Sequence, residues 1–297
     1  MRFLAILSVV VCASLAGCTD STDQGPSVDS AKTSSVSYVC VGMETSQRFG
    51  NCPGCKYDSD RMHKLLGRTF GYSGVLLQSE TATKAAVVSA LEKAISNTPE
   101  SGLFIFYYSG HGGREFLNTD STSEPDGADD ADEYLCLYDT YLLDDDLWSM
   151  ITKCRGRVFL VFDCCHSQTM FRSVVSDGLL AKGLAVPLED HIVTSSGFNF
   201  KPVAVALGLD EGCSDYGHRS PAGNAIRMLC WSGCTEAEYS YGSRAGGVMT
   251  NSIMSRWRSG ISYDDLWSKV SKDVTLIHST QHPTATKYGG VFKEAFR

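Results

Sequence analysis

Two segments of this chain end at side chains capable of nucleophilic chemistry. Phe104-Ile-Phe-Tyr-Tyr-Ser-Gly-His-Gly-Gly113 carries His111 near its end, and Val158-Phe-Leu-Val-Phe-Asp-Cys-Cys-His-Ser167 carries Cys165. A thiol at its ordinary pKa is mostly protonated at neutral pH. An imidazole within reach can take that proton and store it as the imidazolium. Each segment opens as a run of apolar, β-favouring residues, the pattern of a parallel strand buried on both faces. Ligands of open α/β sheets sit just beyond the carboxyl ends of such strands. Two neighbouring strands would therefore deliver His111 and Cys165 to one rim as base and nucleophile, the pairing of a cysteine hydrolase.

The residues behind the pair refine the expectation. Side chains alternate along a strand, so Asp163 shares a side with Cys165, Ser109 shares one with His111, and Cys164 faces the other way as a packed cysteine. The rim then has a polar, acidic floor. A buried carboxylate is costly unless paired, and an arriving Lys or Arg side chain would pair it. His166, next to Cys165, is a rival for the role of base.

Elements that could hold these residues alternate along the chain. Val36 to Gly42 and Gly74 to Gln78 read as strands, with a helix over Asp58 to Leu66 between them. Thr81 to Asn97 reads as an amphipathic helix opened by a threonine cap, with Ala86, Val87, Ala90, Leu91 and Ile95 on one face. Leu103 to Tyr108 is the His strand and Arg157 to Phe162 the Cys strand, with a helix over Asp144 to Cys154 between them. Ala225 to Trp231 is another strand, and Val248 to Arg258 and Tyr263 to Ile277 are helices. Gly183 to Gly223 reads mostly as loops. Strands separated by helices imply an α/β fold, a mostly parallel sheet covered on both faces.

The chain has 297 residues, a formal charge of −8 and 43% hydrophobic residues. That is enough for one large α/β domain, and it argues against disorder. No basic cluster is present to meet a phosphate backbone, so a nucleic-acid partner is not expected. Residues 1–17 read as an export signal, with Arg2 ahead of an apolar stretch too short to span a bilayer. The signal ends in Leu15-Ala16-Gly17-Cys18, which looks like a bacterial lipobox with Cys18 as the lipidated residue. Residues 18–35 then form a flexible tether to a domain over 36–297. The expected location is the bacterial cell envelope as a lipoprotein, or otherwise outside the cell. Of twelve cysteines, Cys52 and Cys55 form a CxxC pair, read as structural, with a local disulfide open to it.

Tyr107-Tyr-Ser-Gly-His-Gly112 together with Asp163-Cys-Cys-His-Ser167 resembles the metacaspases and related bacterial caspase-like cysteine peptidases of the caspase clan, peptidase family C14. Gly54-Cys-Lys-Tyr-Asp-Ser-Asp-Arg-Met62, Asp132-Glu-Tyr-Leu, Leu142-Leu-Asp-Asp-Asp-Leu147, Ser232-Gly-Cys-Thr-Glu-Ala-Glu238 and Gly247-Val-Met-Thr250 are similar to further segments of that family. The resemblance implies a caspase-like fold with a mostly parallel six-stranded sheet. It implies His111 as general base, Cys165 as nucleophile, and the backbone N–H groups of Gly112 and Cys165 as an oxyanion hole. It places Asp58, Ser109 and Asp163 in the S1 pocket, favouring Arg or Lys at P1 of a protein or peptide substrate. The basic pocket needed for cleavage after Asp is missing from these positions.

The chemistry itself needs no cofactor. Eleven Asp or Glu fall between Asp120 and Asp146, and the resemblance aligns Asp132, Asp144 and Asp145 with a calcium site, making Ca²⁺ a candidate activator. Two positions depart from the family pattern: Arg172 stands where an Asp is common, and Gln168 where a Gly follows the Cys-His-Ser. The chain is expected to act as a monomer, at a membrane surface if Cys18 is lipidated. Two competing readings are a catalytically silent caspase-like envelope scaffold, and a surface transpeptidase or amidase using the same dyad.

Overall fold

The computed structural model describes residues 35–71, 74–115, 132–166, 180–181, 227–235 and 238–288. The expected export segment, Cys18, the expected tether up to residue 34, Gln168, Arg172 and all of the expected loop region over 183–223 lie outside these residues.

Four parallel strands form the centre: β1 (Val36–Gly42), β3 (Leu103–Glu115), β6 (Arg157–His166) and β8 (Met228–Ser232). β2 (Val75–Gln78) adds in parallel beside β1, and β11 (Thr284–Tyr288) adds antiparallel beside β8, in the order β11-β8-β6-β3-β1-β2. This is the expected six-stranded, mostly parallel sheet. Two short strands that the sequence pattern did not signal, β4 (Asp132–Cys136) and β5 (Tyr141–Leu143), extend it from the far end of β3. A second small sheet joins β7 (Leu180–Ala181), β9 (Tyr241–Ser243) and β10 (Gly246–Gly247).

Helices cover both faces because the central strands are apolar on both. Even-numbered residues of β3 and β6 (Phe104, Phe106, Tyr108, Val158, Leu160, Phe162) pack under α2 (Lys84–Ser96) and α3 (Asp144–Ile151). Odd-numbered ones (Leu103, Ile105, Tyr107, Phe159, Val161) pack under α1 (Cys55–Phe70), α4 (Val248–Arg256) and α5 (Tyr263–Ile277). Each fully buried Phe or Leu contributes about 1.5–3 kcal/mol relative to exposure.

Two helix starts differ from the pattern reading by a few residues, for local reasons, while α3, α4 and α5 begin where expected. Residues Ser79–Thr81 form a 3₁₀ turn, and the cap of α2 is Thr83, not Thr81. Thr83 Oγ1 accepts the Ala86 N–H at 3.3 Å and Asp139 Oδ1 accepts the Lys84 N–H at 2.8 Å, satisfying two of the helix's orphan donors. Helix α1 begins earlier than expected, at Cys55, after Gly54 with φ 95°.

The site depends on how tightly α1 lies against β1. A Cβ on Gly42 would stand 2.1 Å from Ser59 Oγ and 2.6 Å from the carbonyl oxygen of Cys55. The second of these is backbone and cannot turn aside. Gly42→Ala should therefore destabilise the fold by about 1–3 kcal/mol through overpacking. A lowered urea midpoint at unchanged m-value is the expected result.

Candidate active site

Connections in the sheet diverge between β1 and β3. From β1 the chain crosses to β2 on one side, and from β3 it moves towards β6 on the other. This is the topological switch point, where open α/β sheets leave a crevice beyond their strand ends. Gly42, Ser109 and Asp163 are register partners across β1, β3 and β6, and His111 pairs with Cys165 two residues further on. The expected strands thus continue through the reactive residues instead of stopping at them. Beyond Ser109, β1 has ended, and β3 exchanges that neighbour for antiparallel β4, with Gly112 opposite Leu135.

His111 is 5% exposed and held from two sides. Its ring Nε2 lies 3.3 Å from the carbonyl oxygen of Asn51, in the loop between β1 and α1. Its own carbonyl oxygen accepts from the Tyr108 hydroxyl at 2.6 Å, which also reaches the Cys136 carbonyl at 2.6 Å. Burial, together with the nearby cysteine thiols, pushes the Tyr108 phenol well above its ordinary pKa, so it stays a donor. This fold-back explains the glycines around the histidine. A Cβ on Gly110 would lie 2.4 Å from the Tyr108 hydroxyl oxygen, and one on Gly113 2.3 Å from the Tyr134 ring.

Asp58, Ser109 and Asp163 come together as expected, each with 0% exposure. Ser109 Oγ donates to Asp58 Oδ2 at 3.0 Å, bridging the crevice from β3 to α1. The start of α4, which sequence reasoning did not connect with the site, serves both acids. The Gly247 N–H donates to Asp58 Oδ2 at 2.8 Å and the Thr250 N–H donates to Asp163 Oδ2 at 3.0 Å. These belong to the first four N–H groups of the helix, which have no intrahelical partner and carry the positive end of its dipole. The Thr250 hydroxyl adds a 2.6 Å bond to Asp163 Oδ2, and the Ser240 hydroxyl a 2.9 Å bond to Oδ1. Tyr107 supports Thr250 at 2.7 Å, and the buried Gln281 amide donates to Ser240 at 3.1 Å. Only Gly247-Val-Met-Thr250 had a sequence signal; Ser240 and Gln281 are too distant in the chain to be read as partners of these acids.

The other cysteines described serve packing. Cys164 is buried on the α2/α3 face, as the alternation required. Burial pushes the Cys40 thiol far up and the Cys230 thiol up to about 12, which leaves both poor nucleophiles. Cys52-Pro-Gly-Cys55 forms a turn of type II dihedrals, with Gly54 at φ 95° and ψ −14° and the Cys55 N–H on the Cys52 carbonyl at 3.3 Å. Cys55 Sγ lies 2.9 Å from Cys52 Sγ at the start of α1, close enough for the local pairing that the CxxC spacing left open.

The expected calcium ligands are only partly visible. Asp144 Oδ1 accepts the Asp145 N–H at 3.0 Å at the start of α3, while the side chain of Asp132 lies outside the described residues. Among the described residues, no three His, Cys, Asp or Glu side chains converge on a metal-sized site. The described acids therefore do not by themselves make up the expected site.

Comparison with known proteins agrees with this fold. Metacaspase-1 of Kluyveromyces lactis is 32% identical over 151 residues, covering 44% of this chain and 33% of that protein. Metacaspase-1A of Aspergillus oryzae is 23% identical over 291 residues, covering 87% and 67%. The chain thus spans a third of the first of these relatives, and 53% of metacaspase-1 of Cryptococcus neoformans. Among solved structures, protein GSU0716 of Geobacter sulfurreducens superposes with a TM-score of 0.62 at 22% identity, covering 87% of this chain and 96% of that one. Caspase-1 of Spodoptera frugiperda superposes with a TM-score of 0.51 at 14% identity, covering 86% of each. Both share the fold. Residues 40–289, which contain every site residue above, match the caspase domain of Peptidase C14, and the chain belongs to that family.

Proposed function

We propose that this chain is a cysteine endopeptidase that uses a Cys165–His111 dyad to cleave peptide bonds after Arg or Lys. The observation that carries this reading is the pair of fully buried carboxylates, Asp58 bound by Ser109 and Asp163 its register partner, two residues below the His111–Cys165 register pair.

An Nε2–H donating to the Asn51 carbonyl leaves Nδ1 of His111 as the basic nitrogen. Nδ1 takes the Cys165 proton, and the thiolate attacks the scissile carbonyl carbon. The backbone N–H groups of Gly112 and Cys165 stabilise the tetrahedral oxyanion. The imidazolium then gives its proton to the departing amine, leaving an acyl-enzyme. Water, deprotonated by the same imidazole, releases the product and restores the thiol. A substrate ammonium or guanidinium reaches between the two carboxylates, which the start of α4 holds in place. Asp144 and Asp145, with Asp132, would hold Ca²⁺ if it serves as an activator, supplying positive charge to the acidic segment, and Cys18 would anchor the domain to the bacterial envelope.

Fluorogenic peptides with Arg, Lys or Asp at P1, with and without Ca²⁺, test the reading against a Cys165→Ala control. Cleavage after Arg and Lys but not Asp, lost in the control, is the expected result. No hydrolysis by the intact protein would favour the scaffold reading, and acyl transfer to an amine in place of water the transpeptidase reading. Incorporation of labelled fatty acid in a bacterial host, abolished by Cys18→Ser, is the expected sign of the anchor.

A further inference from the structure

The two pocket carboxylates are not electrically alike. The donors to Asp163 described above are all neutral, whereas Asp58 carries a cation from its own helix. Arg61 Nη2 lies 2.8 Å from Asp58 Oδ1 and 2.7 Å from Asn251 Oδ1 of α4. The guanidinium sits over the Tyr57 ring, 4.2 Å from its centroid, and its side chain keeps only 21% of its exposure. Gly246 makes room for the pair. A Cβ there would lie 2.1 Å from Asp58 Oδ1 and 2.5 Å from Arg61 Nη2. The Asp58 carboxylate is thereby divided, with Oδ1 turned to Arg61 and Oδ2 to Ser109 and Gly247. Every element of this clamp belongs to the pocket wall: α1, β10 and the first turns of α4.

We infer that Arg61 is a specificity-determining residue that offsets the charge of Asp58 and so sets how strongly the pocket draws a basic P1 side chain. The inference rests on the basic-P1 reading above. With Arg61 in place, the charge of Asp58 is partly offset before a substrate arrives. The pair is therefore more than a surface i,i+3 contact, because its carboxylate is also the wall that Ser109 touches.

A charge-rescue series tests this, using matched peptides with Arg or its neutral isostere citrulline at P1. Arg61→Gln, which keeps a donor but no charge, should lower KM for the Arg peptide about threefold to tenfold with little change in kcat. Asp58→Asn leaves Arg61 as a lone cation at the wall and should raise that KM about tenfold or more. The double variant should return KM to within about threefold of the intact protein, since the pocket charge is again what it was. KM for citrulline should move in none of these. Arg61→Lys, which keeps the charge if Arg61→Gln proves unstable, should retain the wild-type ratio of the two KM values. If the intact protein does not distinguish Arg from citrulline, the basic-P1 reading falls and this inference with it. If it does, but the double variant is no better than Asp58→Asn, or both peptides shift together, Arg61 is a structural residue only.

Discussion

His111→Ala is expected to lower kcat about 10³- to 10⁴-fold, and Cys165→Ala to leave no covalent turnover at all. Both effects should come with little change in stability. His111 lies where β3 exchanges β1 for β4, and the local structure is held by backbone groups: the register with Cys165, and the Tyr108 hydroxyl on the His111 carbonyl. None of these needs the imidazole. The ring reaches the Asn51 carbonyl, and its loss removes the proton acceptor while leaving those backbone contacts in place. The double variant should be no slower than Cys165→Ala alone, because the two residues act as one unit. Single-turnover rates with an ester and an amide substrate separate the steps. The ester, whose leaving group needs less protonation, should suffer less from His111→Ala than the amide does. Equal losses on both substrates would assign His111 to activating the thiol and not to protonating the leaving group. Full amide turnover in His111→Ala would pass the base role to His166.

The apolar runs of β1, β3, β6 and β8 made the central sheet readable, because a strand buried on both faces leaves a run that few other elements produce. Period-two alternation then sorted Ser109 and Asp163 from Cys164 correctly: the first two reach the α4 side and Cys164 packs among the residues under α2 and α3. What escaped was either short or non-local. Strands β4, β5, β9 and β10 have two to five residues each and exist only through their partners. The strand exchange beyond Ser109 depends on β1 ending at Gly42, which no pattern in β3 announces. Arg61 looked like one more polar residue on an amphipathic helix. Its role emerges only when Gly246 and Asn251, from the other end of the chain, close around it. Residue types fixed the chemistry that was available, and long-range contacts decided which charges remain for a substrate.

The second large effect should come from Asp163, where specificity and stability can be separated. Asp163→Asn keeps an acceptor for the Thr250 N–H and hydroxyl but removes the charge. It should cut kcat/KM for an Arg substrate about 100-fold, mostly through KM, while leaving the citrulline analogue nearly untouched. Asp163→Ala should add a fold defect. The Ser240 and Thr250 hydroxyls can rotate to other acceptors, but the Thr250 N–H is fixed by α4 and points at the vacated carboxylate position. One stranded buried donor with partial loss at two hydroxyls, plus the small void, should cost about 2–4 kcal/mol. The strain should pass along the same chain of contacts to Tyr107 through Thr250 and to Gln281 through Ser240. Chemical denaturation of both variants alongside KM measurements distinguishes the two effects. Asp163→Asn near wild-type stability with a raised KM, and Asp163→Ala with both defects, is the expected pattern. If the two variants lose stability equally while the Arg preference survives, Asp163 is a buried structural acid, and recognition of the basic side chain falls to Asp58 once Arg61 has swung away from it.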